Sequence, residues 1–125
     1  MSQRILVIDD DPDIIAMTQS RLRLRGFDVD TAVNGVDGLG LAERQRPDLV
    51  ITDILMPEMD GFTFYKEFKK DLENAQIPVL ILTARGQMED TFRAMGVDEF
   101  ITKPFTMDEL LIRINSLLAR LPMKE

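Results

Sequence analysis

Five short apolar segments, separated by helical patterns, constrain the fold of this chain more than any other feature. The first, residues 4–8, has no polar alternation, which is typical of a strand buried on both faces of a sheet. Strands that alternate with helices form a parallel sheet with helices on both faces. The sequence therefore predicts an α/β fold, a single doubly wound sheet with strands at residues 4–8, 27–32, 49–52, 79–82 and 99–102.

Capping residues mark where several helices begin. Asp11 and Pro12 fit an N-cap and the first position of a helix that Gly26 ends. Thr106-x-x-Glu109 is a capping box for the last helix. The remaining helices are predicted at residues 36–45, 62–71 and 88–95.

Two helices carry specific packing predictions. In the first helix we expect Met17 to pack in or near the core. In the third we expect Phe62, Tyr65 and Phe68 to form the apolar stripe, because they recur at helical spacing.

Polar side chains follow four of the strands at the point where each ends. Asp9 and Asp10 follow the first strand, Asp53 the third, Thr83 the fourth and Lys103 the fifth. Parallel strands end at one edge of their sheet, and open α/β folds bind ligands at that edge. We therefore expect these five side chains to form one site.

Three neighbouring carboxylates repel each other, so one would tend to hold a proton unless a cation relieves the conflict. Mg²⁺ favours one or two carboxylates together with waters and a phosphate oxygen. Thr83 and Lys103 suit phosphate oxygens, and a carboxylate can itself accept a phosphoryl group. The pattern favours a metal site that also receives a phosphoryl group.

Composition narrows the chemistry further. The 125 residues suit one domain, and the chain contains neither Cys nor His, which excludes thiolate chemistry and a phosphohistidine of its own. The net charge of −7 argues against direct binding to nucleic acid or to anionic membranes. No apolar run approaches transmembrane length, so we expect a cytoplasmic protein.

Each signal also has a simpler interpretation. Asp9-Asp10-Asp11 could be a solvated turn with a helix cap, and Asp60-Gly61 is most often just a turn. Thr83 and Lys103 could be unremarkable strand residues. The joint placement of all four signals at strand ends is what favours a site.

Taken together, these motifs resemble those of bacterial response-regulator receiver domains. The resemblance covers nearly the whole chain and rests on Val7-Ile8-Asp9-Asp10-Asp11, Asp53-x-x-x-Pro57-x-x-Asp60-Gly61, Leu82-Thr83-Ala84 and Lys103-Pro104-Phe105. It implies a flavodoxin-like (βα)5 sheet of strand order 2-1-3-4-5. It also implies a receiver domain at residues 1–121, with 122–125 as a tail or the start of a linker.

The resemblance assigns the site residues. Asp53 would be the phosphoacceptor. Asp10, Asp53 and the backbone carbonyl of Leu55 would bind Mg²⁺, or Mn²⁺ in its place, and Asp9 would act on the metal through water. Lys103 would contact the phosphoryl oxygens and Asp53.

Further residues would respond to the phosphoryl group or control access to it. Thr83 and Phe100 would switch conformation, and the Lys103-Pro104 peptide would be cis. Small Ala84 would leave the phosphoryl group accessible. The side chains of Leu55 and Arg85 would border the path of the hydrolytic water, and we expect them to slow dephosphorylation.

The implied function is a phosphorylation-controlled binding switch rather than an enzyme. Its partners would be a histidine kinase or histidine phosphotransfer protein, and a downstream protein or output domain. A magnesium-dependent aspartyl-phosphate phosphatase is the alternative, since Asp9-x-Asp11 matches such enzymes superficially, but Pro12-Asp13 does not fit. A receiver kept only for docking conflicts with the complete acidic site.

A calcium loop is a weaker alternative for the first acidic segment. Asp9, Asp11 and Asp13 have ligand spacing, but Ile14 and Ser20 stand where an EF-hand needs Gly and Glu. We therefore reject it.

The chain departs from the family pattern between Thr83 and Lys103, where it is two residues shorter than typical receivers. The shortened segment precedes Gly96 and alters a face that pairs some receivers. Glu109 and Arg113 resemble two members of that face's charge set, and Asp98 and Glu99 lie near the fifth strand. We expect a monomer or a weak dimer.

Overall fold

The computed structural model describes residues 2–54, 56, 58–84 and 96–120, with Ala84 described for its backbone only. Its five strands form one parallel sheet in the order β2-β1-β3-β4-β5, which confirms the predicted fold and strand order. The strands are β1 (Arg4–Ile8), β2 (Asp28–Ala32), β3 (Leu49–Asp53), β4 (Val79–Ala84) and β5 (Glu99–Lys103).

Helices connect the strands, and side-chain caps fix where they begin. They are α1 (Pro12–Leu24), α2 (Gly35–Arg44), α3 (Gly61–Lys70), a short 3₁₀ helix (Leu72–Asn74) and the last helix (Met107–Ala119). The Asp11, Asn34, Asp60 and Thr106 side chains each accept a hydrogen bond from a backbone N–H in the first turn. Such caps satisfy donors that have no partner within the helix.

The sheet separates two apolar clusters, as its buried strands predict. On one face, Leu22 of α1 and the apolar side of the last helix pack against the sheet. On the other face, Ala42 of α2 and Phe64 and Phe68 of α3 do so. The central strands are therefore covered on both sides.

Two packing predictions were wrong in detail. Met17 is 41% exposed, whereas its neighbour Thr18 is buried. In α3 the buried aromatic pair is Phe64 and Phe68, four residues apart with stacked rings 5.4 Å between centroids. Phe62 and Tyr65 are only partly buried beside them.

The strands begin at one edge of the sheet, called here the amino end. Two aspartates at this edge accept hydrogen bonds from neighbouring strands. Asp48 precedes β3, and its Oδ2 accepts a 2.7 Å hydrogen bond from the N–H of Arg4 at the start of β1. Asp98 precedes β5 and accepts a 2.9 Å bond from the N–H of Val79 at the start of β4. Each carboxylate thus ties one strand start to the next.

The charged residues near β5 also form ion pairs within the chain. Asp98 pairs with Lys69 at 3.5 Å, and Glu99 pairs with Arg113 of the last helix at 3.0 Å. These charges therefore have partners within the chain. The predicted helix at residues 88–95 lies outside the described residues, and Gly96 after it has a φ of +72°.

Within the described part of the chain, no helix combines the length and apolar character needed to cross a membrane.

Candidate functional site

The opposite edge, called here the carboxyl end, brings the predicted polar residues together. Cα pairing places Ile8 opposite Thr52, Asp53 opposite Leu82, and Ala84 opposite Lys103. The residues that end these adjacent strands therefore lie side by side.

Three carboxylates gather there. Asp9, Asp10 and Asp53 each offer an oxygen atom, and these atoms lie within 4.8 Å of one another. Asp9 is fully buried, Asp53 is partly buried and Asp10 is exposed. The cluster is thus closed on the Asp9 side and open to solvent on the Asp10 side.

Asp9 is fixed from two directions. Its Oδ1 accepts a 2.9 Å hydrogen bond from the N–H of Asp11, and its Oδ2 accepts one of 3.3 Å from the Lys103 ammonium. Burial raises the pKa of Asp9 above its usual value, and the charge of Asp53 adds to the rise. The Asp11 and Lys103 contacts lower this pKa but do not cancel the rise.

Lys103 lies between two of the carboxylates. Its Nζ is 3.3 Å from Asp9 Oδ2 and 3.3 Å from Asp53 Oδ1. Burial acts to lower the pKa of Lys103, but the charges of Asp53 and Asp9 more than offset burial and raise it. The ammonium therefore stays charged beside Asp53. The following bond, Lys103–Pro104, is cis as expected.

The residues expected to switch conformation lie at different positions along their strands. Thr83 is the next-to-last residue of β4, whereas Phe100 is the second residue of β5 and pairs with Ile81. Thr83 is fully buried, and Phe100 is partly buried against the α2–α3 side of the core. A shallow groove of about 230 Å³ runs beside Phe100, with Glu99, Glu109 and Arg113 in its wall. Leu55, Arg85 and the Ala84 side chain lie outside the described residues.

Thr52, which the sequence did not single out, and Gly61, interpreted from the sequence as part of a turn, fix the backbone around Asp53. The Thr52 hydroxyl donates to the carbonyl of Asp53 at 2.9 Å, and the N–H of Gly61 donates to the carbonyl of Ile54 at 2.8 Å. A Cβ atom on Gly61 would lie 2.0 Å from the Asp53 carbonyl oxygen. The Asp60-Gly61 pair is therefore more than a turn, because its glycine is needed for this contact with Asp53.

The donor set fits a hard divalent cation. All three converging side chains offer carboxylate oxygen, which Mg²⁺, Ca²⁺ and Mn²⁺ prefer over softer metals. The pKa of Asp9 is raised even with Lys103 present, first because the carboxylate is buried and second because its charge conflicts with that of Asp53. A divalent cation would relieve that conflict, and Asp10 leaves the cluster open for its water ligands.

Comparison with known proteins defines the class to which this fold and site belong. The profile of the family described as "Response regulator receiver domain" matches residues 5–115. The chain belongs to the response-regulator receiver domain family. The resemblance inferred from the sequence motifs is thereby confirmed.

Among its relatives is the DNA-binding dual master transcriptional regulator RpaA of Synechocystis sp. It is 44% identical over 119 residues, which cover 94% of this chain and 49% of RpaA. The chain spans about half the length of the curated relatives it matches.

Two solved structures show the same fold. The receiver domain of a signal transduction histidine kinase from Syntrophus aciditrophicus has a TM-score of 0.89 at 32% identity, covering 99% of this chain and 96% of that one. Response regulator TrrA of Thermotoga maritima, solved in complex with Mg²⁺-BeF, has a TM-score of 0.82 at 33% identity, covering 92% and 98%.

Proposed function

We propose that Asp53 accepts a phosphoryl group from a phosphohistidine on a partner kinase or phosphotransfer protein, and that this changes a protein-binding face. The observation that carries the proposal is the joint contact of Lys103 with Asp53 and Asp9 inside a three-carboxylate cluster. The 125 residues contain no His, so the donor phosphohistidine lies outside them.

The proposed metal ligands are Asp10, Asp53 and the backbone carbonyl of Leu55, with Asp9 acting through water. Mg²⁺ is the proposed ion and Mn²⁺ a substitute, because both take oxygen ligands. When bound, the ion supplies positive charge against the carboxylates and the phosphoryl oxygens.

The proposed transfer replaces the N–P bond of the donor with a P–O bond to Asp53. An oxygen of the Asp53 carboxylate attacks phosphorus, and the new P–O bond forms as the N–P bond of the donor breaks. The electron pair of that bond stays on the donor imidazole, and Asp53 becomes an acyl phosphate. Lys103 is already placed beside Asp53 to contact the arriving phosphoryl oxygens.

Mass spectrometry after treatment with a small phosphodonor tests this assignment. We expect one phosphoryl group on Asp53 of the wild type, dependent on Mg²⁺, and none on Asp53→Asn. Asp60→Asn is the matched control, because the Asn side chain can still cap α3 as Asp60 does. Undiminished labelling of Asp53→Asn would overturn the assignment.

The proposed switch consists of Thr83 and Phe100. Thr83 is the next-to-last residue of β4 and directly follows Leu82, which pairs with Asp53. Phe100 lies beside the groove lined by Glu99, Glu109 and Arg113. Phosphorylation would move both side chains and alter this groove for a downstream protein or an output domain. RpaA is named as DNA-binding, but direct nucleic-acid contact by this acidic domain is not proposed. A cytoplasmic setting also stays a prediction.

Slow dephosphorylation is proposed from Leu55 and Arg85, which the family resemblance assigns to the path of the hydrolytic water. The Leu55 side chain offers no hydrogen bond to a hydrolytic water, and Arg85 is long enough to lie across the phosphoryl oxygens. Loss of label with time from Leu55→Asn/Arg85→Glu should be faster than from wild type. Equal lifetimes would sink this part of the proposal.

A monomer or weak dimer is proposed for the activated protein. Arg113 already pairs with Glu99, and Asp98 with Lys69, so these charges have partners within the chain. Exposed ion pairs contribute only about 0–1 kcal/mol each and cannot alone hold a dimer. Sedimentation at tens of micromolar with beryllofluoride tests this, and a tight symmetric dimer would contradict it.

A phosphatase role is not favoured. The family match over residues 5–115 is to receiver domains, and Pro12-Asp13 does not fit the phosphatase motif.

A further inference from the structure

The first residue of α2 touches the loop that follows Asp53. The N–H of Gly35 donates a 3.2 Å hydrogen bond to the carbonyl of Met59. A Cβ atom on Gly35 would lie 2.8 Å from the oxygen and Cγ of Met59. No side chain larger than hydrogen fits there unless helix and loop move apart. The contact also satisfies one of the N–H groups that a helix start leaves without an internal partner.

The loop between Ile54 and Gly61 is already fixed at its two ends. The N–H of Gly61 bonds the carbonyl of Ile54, and Gly61 lies against the carbonyl of Asp53. Between these ends, Glu58 has a φ of +67°, which is uncommon for a residue with a side chain. Such a conformation persists where its surroundings enforce it. The Gly35–Met59 contact acts on the residue directly after Glu58.

The start of α2 is itself held firmly. The Asn34 side chain is buried, accepts from the N–H of Asp37 at 2.8 Å and donates to the Asp37 carboxylate at 3.3 Å. One turn later Gly38 packs against Ile8, the residue before Asp9. The helix therefore forms a fixed support between β1, which leads to Asp9, and the loop that leaves Asp53.

We propose that Gly35 is a positioning residue for the acidic site, and that its contact with Met59 sets where the 54–61 loop lies relative to Asp9 and Asp10. The inference rests on the proposed function, because that loop contains the Leu55 carbonyl assigned to the metal. Displacing the loop would weaken metal binding while the fold survives.

Three glycine-to-alanine variants in one helix test this. The Cβ added by Gly35→Ala would clash with the loop at Met59, and the one added by Gly38→Ala would clash with the Ile8 side chain. The Cβ added by Gly40→Ala would contact only Arg44 Nη1, at 3.7 Å. We expect Gly35→Ala to lower Mg²⁺ affinity by on the order of tenfold. Losses of this size are typical when residues that support and orient metal ligands are substituted. Gly38→Ala should lower the unfolding midpoint but change Mg²⁺ affinity less than twofold, and Gly40→Ala should leave the affinity unchanged.

Equal Mg²⁺ affinity in Gly35→Ala and Gly40→Ala would overturn the inference. An equal loss in Gly35→Ala and Gly38→Ala would also overturn it, because weakened folding would then explain both. If the wild type itself does not bind Mg²⁺, the proposed function fails instead, and the two failures are distinguished.

A second measurement needs no variant. Coupling between two sites is reciprocal. If the Gly35–Met59 contact favours Mg²⁺ binding, then bound Mg²⁺ must stabilise that contact. Saturating Mg²⁺ should slow hydrogen exchange of the Gly35 N–H by a factor similar to the affinity loss in Gly35→Ala. The N–H of Gln45, bonded to Leu41 at the far end of α2, should change little. Equal responses of the two amides would contradict the inference.

Discussion

The two ends of the sheet use aspartate in opposite ways. At the amino end, Asp48 and Asp98 stand apart, and each accepts a hydrogen bond from the first N–H of a neighbouring strand. At the carboxyl end, Asp9, Asp10 and Asp53 crowd within 4.8 Å, and a single ammonium, that of Lys103, pairs with two of them. One end uses carboxylates to hold the fold, whereas the other places them where they repel.

The difference separates aspartates that stabilise the fold from those proposed to bind metal and phosphoryl groups. A carboxylate that satisfies a buried N–H stabilises the fold, and removing it leaves a donor without a partner. A crowded carboxylate costs stability unless a cation joins it. Such local conflict is expected at functional sites. Variants at the two ends should therefore separate stability from binding.

The largest expected effect on stability is at the amino end. Asp98→Ala leaves the Val79 N–H without its acceptor and should lower the free energy of unfolding by about 2 kcal/mol. Asp98→Asn keeps an acceptor oxygen, so it should lose only the partly exposed pair with Lys69, about 0.5 kcal/mol. Urea unfolding measures both, and equal losses would show that charge rather than the hydrogen bond matters.

The next effect is a pH dependence at the carboxyl end. Burial and the Asp53 charge raise the pKa of Asp9, so the folded state holds this proton more tightly than the unfolded chain. Between the two pKa values the folded state binds more protons, and the Asp9 contribution to stability rises as pH falls. In magnesium-free buffer, wild type should therefore gain stability relative to Asp9→Asn on acidification from about pH 7 to about pH 4. Parallel pH curves would contradict this.

The smallest expected effect on stability is at Asp30, whose carboxylate contacts a side chain rather than a backbone N–H. Its carboxylate pairs with Arg4 at 2.9 Å, and both groups are partly exposed. Asp30→Asn should lower the free energy of unfolding by about 0.5 kcal/mol or less, and salt should reduce the difference. A loss as large as that of Asp98→Ala would remove the distinction drawn between the two kinds of carboxylate.

The site was predictable because strand ends are readable from a sequence. Apolar runs without alternation locate the buried strands, and parallel strands bring the residues that follow them to one edge. Asp53 and Lys103 each prove to be the last residue of a strand, one residue beyond the predicted ends. This one-residue difference does not change the predicted site, because Asp53 and Lys103 still lie at the carboxyl end of the sheet.

The contacts that depend on how elements sit against each other were not predictable in this way. Thr18 rather than Met17 is buried because α1 is rotated so that positions 18 and 22 face the sheet. Asp98 looked like a surface charge, and its bond to Val79 exists only once β4 and β5 are paired. The same holds for Gly35, whose contact with Met59 joins segments 24 residues apart.

The most direct test of the contrast between the two ends is the change in the free energy of unfolding on adding Mg²⁺. With Mg²⁺ at a hundred times its Kd, a single site on the folded state should add about 2.7 kcal/mol. We expect this gain in wild type and in Asp98→Asn, compared with NaCl at equal ionic strength, and we expect its loss in Asp10→Asn. A wild type that Mg²⁺ stabilises no more than NaCl does would contradict the account, as would an Asp10→Asn variant that keeps the full gain.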